Sequence, residues 1–319
     1  NIDGRDIDFR VSVMPLMGHE KVVMRILDVS RGAPTLESLG FASDQYNIIK
    51  KTIERTSGLI LITGPTGSGK TTTLYSILNI LNQDNVNIAT LEDPVEYFLK
   101  GVNQSQVRPE VNFTFATGLR SLLRQDPDIM MVGEIRDNET AELAVHASLT
   151  GHLVLSTLHT NDAIGAIPRL IDMKVEPFLL NSSLVLVVAQ RLVRLSCTHC
   201  LVKEKISNDV LSHIQELLDK IPKSVIKERL PNYNPEQMTF SKGTGCAYCD
   251  QTGYHSRTVL AEVLEINDEV RNMILQNESF SEEKIKATQP FITMEQDGMI
   301  KALQGLTTVE EVMRVIQSD

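Results

Sequence analysis

The chain has 319 residues, of which 42% are hydrophobic and 23% are charged, and its formal net charge is -10. This composition is typical of a folded globular protein with room for two or three domains, and it excludes a disordered chain. The negative charge gives no support for nonspecific attraction to nucleic-acid phosphates, and no apolar run approaches the roughly 20 residues that a membrane-spanning helix needs.

The first segment of the chain predicts β-structure. Apolar and polar residues alternate from Ile7 to Val13, and a second β-rich run occupies residues 22–27 after a predicted turn at Gly18. Glycine and proline in residues 31–34 predict a linker, so we expect residues 1–30 to belong to a separate, β-rich α+β domain. Because the chain begins with Asn and has no apolar leader, we expect that an upstream part of this domain is missing and that there is no secretory signal.

Residues 35–196 alternate between strand and helix patterns. Short apolar runs, each predicted to be a buried strand, occupy residues 59–62, 88–91, 129–132 and 153–158. Helical periodicity fills the segments between them. Strands that alternate with helices predict an α/β fold with a mostly parallel sheet covered on both faces.

The four cysteines of the chain fall in two CxxC pairs, Cys197 with Cys200 and Cys246 with Cys249. Two such pairs supply four thiolates in tetrahedral geometry, which predicts a structural zinc site with no open position for catalysis. The alternative is a set of four unliganded buried thiols. We assign residues 197–252 to a zinc subdomain and predict helices for residues 253–319.

A phosphate-binding loop is predicted directly after the first strand of the α/β region. The segment matches G-x-x-x-x-G-K-[ST] and consists of Gly64, Pro65, Thr66, Gly67, Ser68, Gly69, Lys70 and Thr71, with Thr72 continuing into a helix. In such a loop the backbone N–H groups face phosphate oxygens, Lys70 reaches the β- and γ-phosphates, and Thr71 ligates Mg²⁺. The alternative is a glycine-rich turn without a ligand. No Asn-Lys-x-Asp element for reading guanine is present, so the expected nucleotide is ATP.

Acidic residues and a histidine follow the other three strands. Glu92, Asp93 and Glu96 come after the second strand, Glu134 after the third and His159 after the fourth. Because the carboxyl ends of parallel strands meet at one edge of a sheet, we expect these groups to converge on the phosphate loop. A carboxylate there can orient or deprotonate water, and a histidine can sense the γ-phosphate. The alternative for Glu92 and Asp93 is a solvated turn. The alternative for Glu134 is an exposed carboxylate, and that for His159 is a structural histidine.

These motifs, in this order, resemble the type II secretion and type IV pilus assembly ATPases, the GspE/PilB group. The resemblance runs from about Ile2 to the end of the chain. It rests on the phosphate loop and on further motifs at residues 90–96, 122–128, 133–137, 150–162, 190–194 and 252–254. The resemblance implies a RecA-like P-loop core, preceded by the remnant of a PAS-like domain and followed by a zinc clip and C-terminal helices.

The resemblance also implies roles for single residues. Glu134 is similar to the Walker B glutamate, Glu96 to an acidic-box glutamate that activates water, and His159 to a histidine near the γ-phosphate. Arginines at matching positions are expected to reach the nucleotide from the preceding domain (Arg10, Arg25) or to lie around the site or the subunit boundary (Arg120, Arg124, Arg169). Read without the resemblance, these arginines are outward-facing strand residues or part of a solvated basic face.

For the whole protein the resemblance implies a homohexamer that hydrolyses ATP to power assembly of pilin-like subunits. We expect it in the cytoplasm, bound to the inner membrane only through platform and cytoplasmic-domain partners of the machine, with no direct contact to nucleic acid. A nucleic-acid translocase, a nucleotide-binding regulator without turnover and a pilus-retraction ATPase are the alternatives. The paired cysteines favour assembly or secretion over retraction.

Overall fold

The computed structural model describes residues 7–28 and 32–317 of the chain. Within these ranges the strands are β1 (Ile7–Leu16), β2 (His19–Asp28), β3 (Gly58–Thr63), β4 (Ile88–Glu92), β5 (Asn103–Gln106), β6 (Ile129–Val132), β7 (Leu153–Leu158), β8 (Leu184–Ser196), β9 (Leu201–Glu204), β10 (Phe240–Gly243) and β11 (Tyr254–Glu265). The helices are α1 (Ser43–Ile53), α2 (Lys70–Leu81), α3 (Phe115–Leu122), α4 (Asn138–Leu149), α5 (Ala166–Asp172), α6 (Pro177–Ser183), α7 (Asn208–Asp219), α8 (Lys223–Arg229), α9 (Asp268–Leu275), α10 (Glu282–Thr288), α11 (Met294–Leu303) and α12 (Val309–Ile316).

The main sheet has seven strands in the order β11-β8-β3-β7-β6-β4-β5. All neighbouring pairs are parallel except β11 with β8. The predicted mostly parallel sheet is therefore confirmed, and its four predicted runs are β3, β4, β6 and β7. Successive side chains of β3 point to opposite faces, so that Leu59 and Leu61 join one apolar cluster while Ile60 and Ile62 join another. Helices cover both faces.

The sequence did not predict β8 and β11, which form one side of the main sheet. β8 pairs with β3 and is buried over most of its length. The prediction of helix throughout residues 253–319 is wrong for residues 254–265, which form β11 at the edge of the sheet. The run of Ala, Leu, Val and Glu in β11 is buried on both faces and shows no alternation, so its pattern does not distinguish a strand from a buried helix. The helical prediction is confirmed for α9 to α12.

The first described segment is an antiparallel hairpin of β1 and β2, with Arg10 opposite Arg25. Its strands are as predicted, and its assignment to a separate domain stays a prediction. Gly18 supplies the turn with a φ of 76°. The start of the predicted linker, at residue 31, lies outside the described residues. No helix in the described ranges combines the length and the hydropathy needed to cross a bilayer.

The cysteine-bounded insert leaves the sheet at the end of β8 and returns at the start of β11. It contains β9 and β10, α7 and α8, and the four cysteines. Arg229 at the end of α8 ties it to the rest of the chain: the guanidinium donates to both carboxylate oxygens of Asp44 on α1, at 2.9 and 2.6 Å, and to Asp297 on α11 at 2.8 Å. Lys301 also pairs with Asp297, at 2.8 Å. Because removal of one partner from a buried ionic network leaves a costly uncompensated charge, these contacts hold the insert in a defined position.

Candidate functional site

The phosphate loop joins β3 to α2 and is held from β8. Gly64 has a φ of 138°, and a Cβ atom there would lie 2.3 Å from the carbonyl oxygen of Gln190, so only glycine fits. The Gln190 side chain donates to the carbonyl of Ser68 and accepts from the hydroxyl of Thr73, both at 2.8 Å. The shape of the loop therefore depends on a residue from a strand that the sequence pattern did not predict.

The loop offers hydrogen-bond donors that fit a phosphate chain. The ammonium of Lys70 donates to the carbonyls of Gly64, at 2.8 Å, and Pro65, at 3.0 Å. Burial lowers the pKa of Lys70, and the Glu134 carboxylate opposes that shift. Among the described residues, the buried hydroxyl of Ser68 has no hydrogen-bond partner. A buried hydroxyl without a partner in a glycine-rich loop at a helix N-terminus is accounted for by an anionic ligand that accepts from it.

A cavity of about 530 Å³ opens in front of this loop at the carboxyl edge of the sheet. The residues that the sequence singled out and that line it are Arg25, Thr66, Gly67, Ser68, Gly69, Lys70, Thr71, Thr72, Glu92, Asp93, Glu96, Glu134 and His159. Leu192, Arg136 and Arg257 also line it, and the sequence analysis did not identify them. Arg136 lies within the motif at residues 133–137, whereas Leu192 belongs to β8 and Arg257 to β11, neither of which the sequence predicted.

Glu134 is the central carboxylate of the cavity. One of its oxygens lies 3.3 Å from Nε2 of His159, and the other lies 2.5 Å from the guanidinium of Arg136. Its side chain is only 13% exposed. A carboxylate held between an imidazole and a guanidinium, with the Lys70 ammonium across the cavity, is fixed in position. It is suited to orient a water molecule or a hydrated metal ion.

The acidic segment at the end of β4 contains a buried carboxylate, Glu92, and one that faces the cavity, Glu96. Glu92 is buried and accepts hydrogen bonds from Thr90, at 2.6 Å, from Gln104, at 3.1 Å, and from the hydroxyl of Tyr75. The hydroxyl of Tyr75 also accepts from the backbone N–H of Glu96, at 3.0 Å. Glu92 and Tyr75 therefore fix the loop that carries Glu96. The Glu96 carboxylate faces the cavity and lies 3.9 Å from the guanidinium of Arg10.

Both hairpin arginines approach the cavity, but the other three predicted arginines do not line it. Arg120 on α3 pairs with Glu139, and Arg124 donates to the carbonyl of Arg120 at 2.7 Å. Arg169 is exposed on α5. The expectation that Arg120, Arg124 and Arg169 lie around the nucleotide finds no support within a single chain, and a role at a subunit boundary stays a prediction.

His152 lies directly before β7, at the end of that strand opposite to His159. Its Nδ1 is 2.9 Å from the carbonyl of Ala147. It does not fold back to the cavity, and its contacts are those of a structural residue.

The four cysteine sulfurs form one cluster, in which all lie within 4.8 Å of one another. The Cys197–Cys246, Cys200–Cys249 and Cys246–Cys249 sulfur distances are 3.8, 3.9 and 3.7 Å. Four thiolates around zinc at about 2.3 Å would be separated by about 3.8 Å, so the arrangement fits that ion. The backbone N–H groups of Gly245 and Gly253 donate to the sulfurs of Cys200 and Cys249 respectively, each at 3.3 Å.

Comparison with known proteins identifies the family to which the chain is similar. A family model described as "Type II/IV secretion system protein" matches residues 1–314. Type II secretion system protein E of Pseudomonas aeruginosa is 48% identical over all of this chain, which covers 60% of that protein. The type IV pilus assembly ATPase PilB of Thermus thermophilus is 45% identical over 97% of this chain, and the match covers 33% of PilB. The chain thus spans about 60% or less of these relatives.

A solved structure of the pilus retraction motor PilT with bound ADP matches with a TM-score of 0.69 and 29% identity, covering 99% of this chain and 77% of that one. The likeness extends over nearly the whole chain, so the phosphate loop, the sheet and the C-terminal helices belong to one shared architecture.

Proposed function

The chain belongs to the type II/IV secretion system protein family, and from that premise we propose that it is a P-loop ATPase whose turnover powers the assembly of pilin-like subunits in a type II secretion or type IV pilus machine. One observation carries the proposal: Lys70, Glu96, Glu134 and His159, from four different strand ends, line one cavity. Such convergence at the carboxyl edge is what hydrolysis of a bound triphosphate requires.

Nucleotide binding falls to the phosphate loop. Its N–H groups, the Ser68 hydroxyl and the Lys70 ammonium donate to phosphate oxygens, and Lys70 exchanges its two carbonyl acceptors for the β- and γ-phosphates. The Thr71 hydroxyl would be a ligand for Mg²⁺. When bound with the nucleotide, Mg²⁺ supplies positive charge against the phosphate oxygens.

Hydrolysis falls to the carboxylates and arginines. Glu134 orients the attacking water, Glu96 accepts its proton, and His159 links the Glu134 carboxylate to the loop after β7. Arg10 and Arg25 bring positive charge to the phosphates from a separate structural unit, where it stabilises the charge that develops during transfer. Closure of the hairpin onto the cavity would thus complete the site.

The decisive test is Glu134→Gln, which preserves shape and removes the charge. We expect ATP turnover to fall by at least about 100-fold while ATP affinity stays within a few-fold, because the carboxylate acts on water rather than on the phosphate chain. Phosphate release and binding of a fluorescent nucleotide measure the two quantities. Glu142→Gln, on the exposed surface of α4, is the matched control, and undiminished hydrolysis in Glu134→Gln would refute the role of Glu134.

The proposal extends to the assembly. We infer a homohexamer in which Arg120, Arg124 and Arg169 lie near the boundary between subunits, a structural zinc ion on the four cysteines, and a cytoplasmic position at the inner membrane through platform and cytoplasmic-domain partners. Retraction is the close alternative within the family. The four-cysteine cluster and the higher identity to the secretion and assembly relatives favour assembly or secretion.

A further inference from the structure

A buried carboxylate lies in the sheet outside the proposed hydrolytic machinery. Glu262 of β11 is opposite Ala189 of β8, Ala189 is opposite Thr63 of β3, and Thr63 is opposite Leu158 of β7. The phosphate loop follows Thr63 and His159 follows Leu158. Glu262 is therefore at the same level of the sheet as both nucleotide-facing loops, on the face that carries the larger apolar cluster.

The two oxygens of Glu262 hold two different segments. One accepts from the backbone N–H of Ala163, at 2.9 Å, and the other accepts from the backbone N–H of Met294, at 3.1 Å. Ala163 lies in the loop that connects His159 to α5, and Met294 is the first residue of α11. Both segments thus share a single buried acceptor.

We propose that Glu262 is a positioning residue that couples the loop after His159 to the start of α11, so that the state of the γ-phosphate is transmitted to the C-terminal helices. The proposal rests on the ATPase function proposed above. Its physical basis is burial: Glu262, Ala163 and Met294 are all buried, and an N–H group in such a setting that loses its charged acceptor carries the cost of an unsatisfied buried donor. A shift of either segment must therefore move the carboxylate, and with it the other segment.

The electrostatic surroundings of Glu262 support a titratable coupling. Burial raises the pKa of Glu262 to about 7 against the effect of the two N–H bonds, and the charges of Asp162 and Glu282 add to the rise. The other charged residues that line the adjoining cavity are Asp172, Arg191, Glu278 and Glu295. The ionised carboxylate accepts two charge-assisted hydrogen bonds, whereas the protonated acid offers one good acceptor.

The test compares Glu262→Gln with Glu265→Gln. Glutamine keeps the shape, but its amide nitrogen cannot accept, so one N–H group is left without a partner. Glu265 lies on the same strand and its carboxylate pairs with the Lys51 ammonium at 3.5 Å. Within the described part of the chain that carboxylate has no hydrogen bond or ion pair to the loop after His159, so its variant is the control. We expect kcat to fall about tenfold in Glu262→Gln with nucleotide affinity within about twofold, and the wild-type change in kcat near pH 7 to disappear.

A measurement that does not depend on turnover is amide hydrogen exchange. In Glu262→Gln, exchange at residues 159–163 should rise about tenfold, and nucleotide should no longer alter exchange at the start of α11. A wild-type chain without any ATP turnover would overturn the proposed function, yet the exchange comparison would still decide whether Glu262 couples the two segments.

A second pair of variants guards against a folding defect. Proline is tolerated at the first position of a helix. Met294→Pro therefore removes the N–H group that donates to Glu262, while α11 can still form. Met294→Ala truncates the side chain and keeps that N–H group. We expect Met294→Pro to lower kcat several-fold below Met294→Ala. Equal kcat in this pair, or exchange and kcat in Glu262→Gln that match Glu265→Gln, would overturn the coupling.

Discussion

At the scale of single residues, the carboxylates around the nucleotide cavity differ in the partners that they hold. Glu92 is surrounded by neutral donors and supports the loop beside it. Glu96 and Glu134 face charged groups instead, Arg10 in one case and Arg136 in the other. A carboxylate that is bound by hydroxyls and amides inside the fold is not available to water. We therefore assign the chemistry to Glu96 and Glu134 and a positioning role to Glu92.

Arg10 tests whether the hairpin contributes to the site. Because the Arg10 guanidinium approaches Glu96, Arg10→Ala should lower turnover by at least about tenfold with nucleotide still bound. Steady-state phosphate release at saturating ATP checks this. Lys21→Ala, on the exposed second strand of the same hairpin, is the control for a general loss of charge, and full activity in Arg10→Ala would remove Arg10 from the site.

At the scale of elements, the sequence predicted the strands that are followed by residues of the proposed site. β3, β4, β6 and β7 are short apolar runs that stop at glycine, acid or histidine, so the strand-end rule brought Lys70, Glu96, Glu134 and His159 together. β5 escaped prediction because its sequence, Asn-Gln-Ser-Gln, is polar. β8 and β11 carry buried polar residues such as Gln190 and Glu262, whose partners lie in distant segments. Those partners are set by tertiary packing and leave no local pattern.

The prediction that the cysteine cluster binds zinc can be tested directly. We expect about one zinc ion per chain, and Cys246→Ser should abolish stoichiometric zinc and lower the melting temperature, because the ion organises a segment with a small core of its own. Metal analysis by mass spectrometry and thermal unfolding with and without a chelator measure both effects. Tyr248→Phe changes the same knuckle but keeps the four sulfurs, so it should retain zinc. A metal-free chain that is fully folded would contradict the prediction.

At the scale of the whole molecule, charged contacts join the C-terminal helices and the cysteine-bounded insert to the sheet. Arg229 links α8 to α1 and α11, and Glu311 links α12 to β8 through the guanidinium of Arg194, at 2.6 Å. Arg314 adds a second guanidinium to Glu311, at 2.8 Å. The chain therefore depends on these ion pairs for the relative placement of segments that are far apart in sequence.

The Glu311 cluster predicts a specific loss of stability in acid. Burial alone raises the pKa of Glu311, but the hydrogen bonds from Arg314 and Arg194 outweigh burial and lower it to about 2 from 4.5. A carboxylate with a lowered pKa stabilises the fold above the pKa of the unfolded chain, and that contribution is lost as the pH falls from about 4.5 towards 2. Glu311→Gln should thus destabilise the chain at pH 7, and the difference from wild type should shrink below about pH 4.

Urea unfolding at several pH values measures this difference. Glu310→Gln, at the exposed neighbouring position on α12, should show little change at any pH. A constant penalty for Glu311→Gln across the whole range would mean that the pKa of Glu311 is not lowered.

The antiparallel pairing of β11 with β8 also limits where the chain can be divided. A polypeptide that stopped after the second cysteine pair would keep the phosphate loop and every predicted hydrolytic residue, but β8 would become the outermost strand. Its buried apolar side chains and its free row of N–H and C=O groups would then meet solvent, which is the surface on which strands of other molecules add. Such a shortened chain should precipitate, so a minimal soluble ATPase must extend through β11 and the helices that pack on it.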